Sequence, residues 1–84
     1  MDRYIVITQH TDADCKRVIQ QVEAIGYITH FDWGCNDGDH EGWAIVDADS
    51  HTEALMCVPS SHRPRAKAVK LVKFSPDDVR AMHD

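Results

Sequence analysis

The tetrad Asn36-Asp37-Gly38-Asp39 stands between two runs, Ile28 to Cys35 and His40 to Ala48, that are rich in β-branched and aromatic residues. Asp-Gly in that setting predicts a two-residue reversal, because a type I′ turn needs positive φ at both central positions. Such a hairpin fixes side-chain partners as well as strand direction. Cys35 then faces His40, Trp33 faces Gly42, Phe31 faces Ala44 and Thr29 faces Val46 on one side of the sheet. Ile28 with Asp47, His30 with Ile45, and Asp32 with Trp43 share the other side. A slip of one residue would exchange the two faces, so the turn controls which groups meet.

The flanking sequence supplies the rest of a domain. Residues 3 to 9, Arg-Tyr-Ile-Val-Ile-Thr-Gln, read as a mostly buried strand. Thr11 stands three residues before Asp14, as in a capping box. Cys15, Val18, Ile19, Val22 and Ile25 then recur at helical spacing until Gly26, which predicts a helix over residues 12 to 25. Ser50 and Glu53 repeat the capping spacing and open a short helix through Ala54, Leu55 and Val58, which Pro59 ends. After a loop at Ser60 to Pro64, the alternation from Ala66 to Phe74 predicts a last strand. Ser75-Pro76-Asp77-Asp78 caps a short C-terminal helical tail carrying Val79 and Met82. The order is βαββαβ, which predicts a single α+β domain over residues 1 to 84: an antiparallel four-stranded sheet with two helices on one face.

A chain of 84 residues hides only about 60 to 65% of its unfolded surface when it folds alone, so a partner subunit would add stability. The element order and length, with the stretches Phe31-Asp32-Trp33-Gly34-Cys35, Gly38-Asp39-His40 and Gly42-Trp43-Ala44-Ile45-Val46, resemble the dimeric α/β-barrel superfamily. That is the ferredoxin-like group that includes muconolactone isomerases and small antibiotic-biosynthesis-type monooxygenases. The resemblance implies a homodimer packed through its sheet faces, with an unidentified small molecule held in each subunit. It extends to a cofactor-free isomerase or monooxygenase-like enzyme, but no catalytic motif carries across.

Two groups of side chains could do chemistry. On the second face, His30 and Asp32 lie two residues apart among large apolar neighbours, where low dielectric and mutual charge can tune an acid/base pair. Tyr4, Trp43 and Ile45 would line the pocket around them. The competing reading is that His30 and Asp32 only hydrogen-bond across the subunit contact or to the basic stretch of the last strand. The second group is the hairpin tip, where Cys35 and His40 would bring their Cβ atoms to about 5 Å, with Asp37 and Asp39 on the turn. Thiolate, imidazole and carboxylate are zinc-type ligands, but a firm site needs three or four. His10, at the end of the first strand, or a histidine of another subunit would complete the set. Cys35 is also the thiol expected to be reachable, with His40 lowering its pKa. Cys15, on the apolar stripe of the first helix, is expected in the core, and Cys57 is expected to be packed.

Asp37-Gly38-Asp39-His40-Glu41-Gly42 copies the first half of an EF-hand loop, yet the twelfth position is Ala48 and a strand follows, which argues against calcium. The net charge of −5 argues against nucleic acid and anionic membranes as partners, since phosphate binding needs clustered Lys and Arg. Asp32 through Glu53 contains acids without Lys or Arg, whereas Arg63 through Lys73 contains bases without acids. Solvated faces of opposite sign explain this, as does steering between subunits. Three cysteines at wide spacing suit reduced thiols, and the first residues hold too short an apolar run for a signal peptide. A cytoplasmic protein is therefore expected. There is no glycine-rich phosphate loop, Gly-x-Ser-x-Gly elbow or His-Glu-x-x-His. Three functions remain open: a dimeric small-molecule-binding domain, a metal-binding or thiol-responsive protein, and a non-catalytic interaction module.

Overall fold

The computed structural model describes residues 1 to 83. Seven regular elements follow in order: β1 (Asp2–Gln9), α1 (Cys15–Ala24), β2 (Phe31–Trp33), β3 (Glu41–Ala48), α2 (His51–Ala54), β4 (Ala66–Lys70) and α3 (Pro76–Arg80). The four strands form one antiparallel sheet in the order β2-β3-β1-β4. This bears out the α+β class and the four-stranded antiparallel sheet expected from the sequence.

Alternation along the strands divides the sheet into two faces. Tyr4, Val6 and Thr8 of β1 are buried beside Ala44, Ala48 and Phe31, while Val18 and Val22 of α1 and Ala54, Cys57 and Val58 of the α2 region close over them. Val6, Val18, Val22 and Val58 are fully buried, and burying each such side chain contributes about 1.5–3 kcal/mol. The other face carries Ile5, Ile7, Trp43 and Ile45. It is open to solvent, with Ile45 48% and Val69 41% exposed.

Local signals set the helix ends. The Thr11 hydroxyl accepts from the Asp14 N–H as expected, but the first turn is 3-10 over Asp12–Asp14, so α1 proper begins at Cys15. It ends in paired closing bonds, Gly26 N–H to Glu23 O and Tyr27 N–H to Val22 O. Ser50 caps α2 through the Glu53 N–H, and Ser75 with Asp78 forms a full capping box on α3.

The hairpin departs from expectation in its turn but keeps its register. Phe31 pairs with Ala44, Asp32 with Trp43 and Trp33 with Gly42. The connection is not a two-residue turn. Cys35–Asp37 winds one 3-10 turn, Gly38 takes φ +82° to reverse it, and the Gly34 carbonyl accepts from the N–H groups of both Asp37 and Asp39. The Gly34 N–H to Glu41 carbonyl bond closes the loop, so residues 35–40 within it are symmetric about the expected turn and the pairs beyond it are unchanged. β2 is also shorter than expected: Ile28–His30 forms a 3-10 turn, with the His30 N–H on the Tyr27 carbonyl. Thr29 is thus outside the sheet. The last strand stops at Lys70, and Ser60–Arg65 is a 3-10 segment rather than an open loop.

Candidate metal centre

β1 ends at Gln9, and the backbone N–H of His10 donates to the His40 carbonyl at 3.1 Å. That bond ties the end of β1 to the close of the 34–40 loop and brings the two imidazoles to 5.9 Å between centroids. Only Thr11 and the 3-10 turn Asp12–Asp14 separate His10 from Cys15, so the first residue of α1 folds back beside the end of β1. Cys35, at the start of the loop's own 3-10 turn, comes in from the third side, with its Sγ 3.1 Å from His10 Nε2.

The result is a cluster of His10, Cys15, Cys35 and His40 in which one nitrogen or sulfur from each lies within 4.8 Å of every other. Tetrahedral zinc with Zn–S of about 2.3 Å and Zn–N of about 2.0–2.1 Å places neighbouring donors roughly 3.3–3.8 Å apart. The 4.8 Å bound exceeds that spacing by no more than about 1.5 Å. His10 is 8% exposed, and the other three are half-buried. The two imidazoles are oriented differently. His10 turns Nε2 to Cys35, and its Nδ1 is buried without a hydrogen-bond partner. His40 turns Nε2 toward the Asp12 carboxylate at 3.7 Å, and its buried Nδ1 lacks a partner. Trp33 packs edge-on against His10 at 6.1 Å and stacks on Phe31 at 5.2 Å, forming the apolar wall of the cluster.

The electrostatics suit neutral side chains in the absence of an ion. Burial, and secondarily His40 and His62, hold the His10 imidazole below its usual pKa, against a smaller opposing pull from Asp14. Burial, followed by hydrogen bonding and charge interaction with the Cys15 thiol, pushes Cys35 up to about 11. The sequence expectation that His40 would lower the Cys35 pKa is thus corrected, because burial and the neighbouring Cys15 thiol disfavour the thiolate. A metal cation would supply the missing charge and displace the thiol protons on binding.

Of the metal ligands expected from sequence, Cys35, His40 and His10 are brought together. Asp37 and Asp39 are not: both are exposed on the outer side of the loop, because the longer connection turns them into solvent. Cys15 was expected in the core and proves to be the fourth member. Cys57 is buried elsewhere, 2% exposed, with burial pushing its thiol up to about 11.

The acid/base group does not assemble in one place. His30 is exposed in the turn before β2 and rests on the Tyr27 ring at 5.4 Å, while Asp32 is exposed on β2 opposite Trp43. Tyr4 is 3% exposed on the helix-covered face, whereas Trp43 and Ile45 belong to the open face, so these three share no pocket wall. The cause for His30 is the late start of β2 at Phe31, which leaves it off the sheet. A cleft of about 360 Å³ opens where β2 is missing, lined in part by Tyr27, His30, Ile45, Asp47 and Glu53.

No known family model, curated protein or solved structure matches this chain. The resemblance to the dimeric α/β-barrel superfamily therefore rests only on element order, length and the stretches quoted above. No helix among the described residues is long and apolar enough to cross a membrane.

Proposed function

We propose that this domain is a metal-binding protein that holds one thiophilic or borderline divalent ion, zinc above all, through His10, Cys15, Cys35 and His40. The observation that carries the reading is the convergence of four soft and borderline donors from three separate chain segments within 4.8 Å. Two thiolates and two imidazoles form the donor set of closed structural zinc sites, with no position left for a substrate. His40 would bind through Nδ1 while Asp12 accepts from its Nε2, the carboxylate–histidine–metal relay that fixes a ligand's tautomer. An ion there would clamp β1, α1 and the 34–40 loop, so binding energy would become folding energy. A cluster of reduced thiols also suits the cytoplasm.

The experiment is metal analysis of protein purified without an affinity tag, followed by cobalt(II) titration. One equivalent of metal, and cobalt absorption with the intensity of a tetrahedral site and thiolate charge transfer, are expected. Absence of both from the fully reduced protein would remove the reading.

A second reading is favoured by the open face. The order β4-β1-β3-β2, with helical crossovers before β2 and β4, supports a ferredoxin-like topology of the dimeric-barrel kind. Ile45 and Val69, exposed beside Trp43, support a homodimer through that face. The cleft by His30 and Ile45 would then be the place for a small molecule. Light scattering on the eluting protein decides the dimer: a monomer at high concentration sinks it.

A further inference from the structure

Resting on the metal-binding reading, we infer that Cys15 and Cys35 are a peroxide-responsive dithiol whose oxidation joins the two sulfurs and expels the ion. The two sulfurs belong to one cluster and lie no more than 4.8 Å apart. Both are half-buried rather than sealed, so a small oxidant reaches them, whereas Cys57 is 2% exposed and lies outside the cluster. Their backbones are also placed to adjust. Cys35 begins a single 3-10 turn between two strands, and Cys15 follows a single 3-10 turn between strand and helix. Closing to the disulfide distance of about 2.05 Å therefore draws on two short connections and leaves the strand ladder in place.

The chemistry balances with hydrogen peroxide as oxidant. One metal-bound thiolate attacks a peroxide oxygen, giving a sulfenic acid and releasing hydroxide. The other thiolate attacks the sulfenic sulfur, forming the S–S bond and releasing a second hydroxide. The two electrons lost by the sulfurs are those that break the O–O bond, and two protons turn the hydroxides into water. A resolving thiol within 4.8 Å outcompetes further oxidation. The disulfide withdraws two of four donors, and the remaining pair, His10 and His40, does not retain the ion against a chelator.

The test uses a Cys57→Ala variant of the full chain, zinc-loaded and zinc-free, given one equivalent of hydrogen peroxide. Expected are loss of both thiols, a mass lower by two hydrogens with the chain still monomeric on a non-reducing gel, and transfer of one zinc per disulfide to a chromogenic chelator. Dithiothreitol should reverse all three. Sulfinic acids on separate cysteines, cross-linked chains, or zinc retained after the disulfide has formed would overturn the inference. A reduced protein that takes up no zinc fails the metal-binding reading itself. A protein that loads zinc but forms no internal disulfide fails only the switch.

Discussion

Replacing Cys15 by Ala separates a ligand from a core residue. Cys15 is half-buried at the first position of α1, so exchanging its thiol for hydrogen removes little apolar contact. In the metal-free protein the change should cost no more than about 1 kcal/mol, roughly 4–8 °C of Tm for a domain of this size. With free zinc buffered at about 100 times Kd, a four-donor site stabilises the native state by about 2.7 kcal/mol, or roughly 11–22 °C. Losing a directly bound thiolate weakens affinity by at least the 10–100-fold that even an outer partner costs. At 100-fold the same zinc sits at the variant's Kd and contributes only about 0.4 kcal/mol. The zinc-induced shift should therefore shrink to about 2–3 °C. Cys57→Ala is the counterpart. It should lower Tm in both forms, because Cys57 packs in the core, and leave the zinc-induced shift whole. Scanning calorimetry with a zinc-buffering chelator and a phosphine reductant gives both numbers. A Cys15→Ala protein that keeps the full zinc shift would refute the assignment and return Cys15 to the hydrophobic core.

Two further outcomes follow from the geometry. Gly42→Ala should lower Tm and loosen metal binding together, because a Cβ there would stand 2.7 Å from the Trp33 ring and 2.9 Å from the Thr8 hydroxyl; such overpacking costs about 1–3 kcal/mol, and Trp33 moves against His10. Unchanged zinc affinity in that variant would show that Trp33 does not position His10. The metal-free protein should lose stability on acidification below pH 6.5, since burial, and then Arg17, hold the pKa of the buried His62 below that value. Above 6.5 both folded and unfolded chains keep His62 neutral; below it the unfolded chain takes up a proton that the folded one resists until its own lower pKa is passed. His62→Gln should flatten part of the fall in Tm between pH 7 and 5, with His10, shifted the same way, supplying the rest. A Tm that rises on acidification would contradict both shifts.

The sheet was legible because its signals are local and periodic. Alternation in β1 and β3, caps at Thr11, Ser50 and Ser75, and the Asp-Gly signal each act over a few residues, and each is realised or nearly so. The turn itself was misread. Asp37-Gly38 does supply a positive φ, but at Gly38 alone, because Gly34 and the 3-10 turn at Cys35 offer the backbone a wider loop with its own hydrogen bonds. Register survived because a symmetric lengthening leaves the pairs beyond it intact. Ile28 and Thr29 look like strand residues, yet Tyr27 and His30 close a 3-10 turn first, and the proposed His30–Asp32 pair was lost with it. Tertiary context outweighs β-propensity over so short a run.

Cys15 shows where periodicity misleads. Its spacing to Val18, Ile19 and Val22 puts it on the apolar stripe of α1, and for an interior position that reading holds, as the full burial of Val18 and Val22 confirms. At the first residue of a helix the stripe points past the end of the core, toward whatever precedes the helix. Here that is His10, five residues earlier and just past the end of β1, before the Thr11-capped turn. A strand followed by His, a capped turn and a helix beginning with Cys therefore bring the two side chains together whatever the rest of the chain does. The 34–40 loop supplies the other half by the same logic, with Cys35 and His40 at its two shoulders and the Gly34–Glu41 backbone bond closing it. Two local pairs, each readable from its own connection, become one four-donor centre only because β1 and β3 are neighbours in the sheet. Strand order is the one step that no short stretch of sequence encodes.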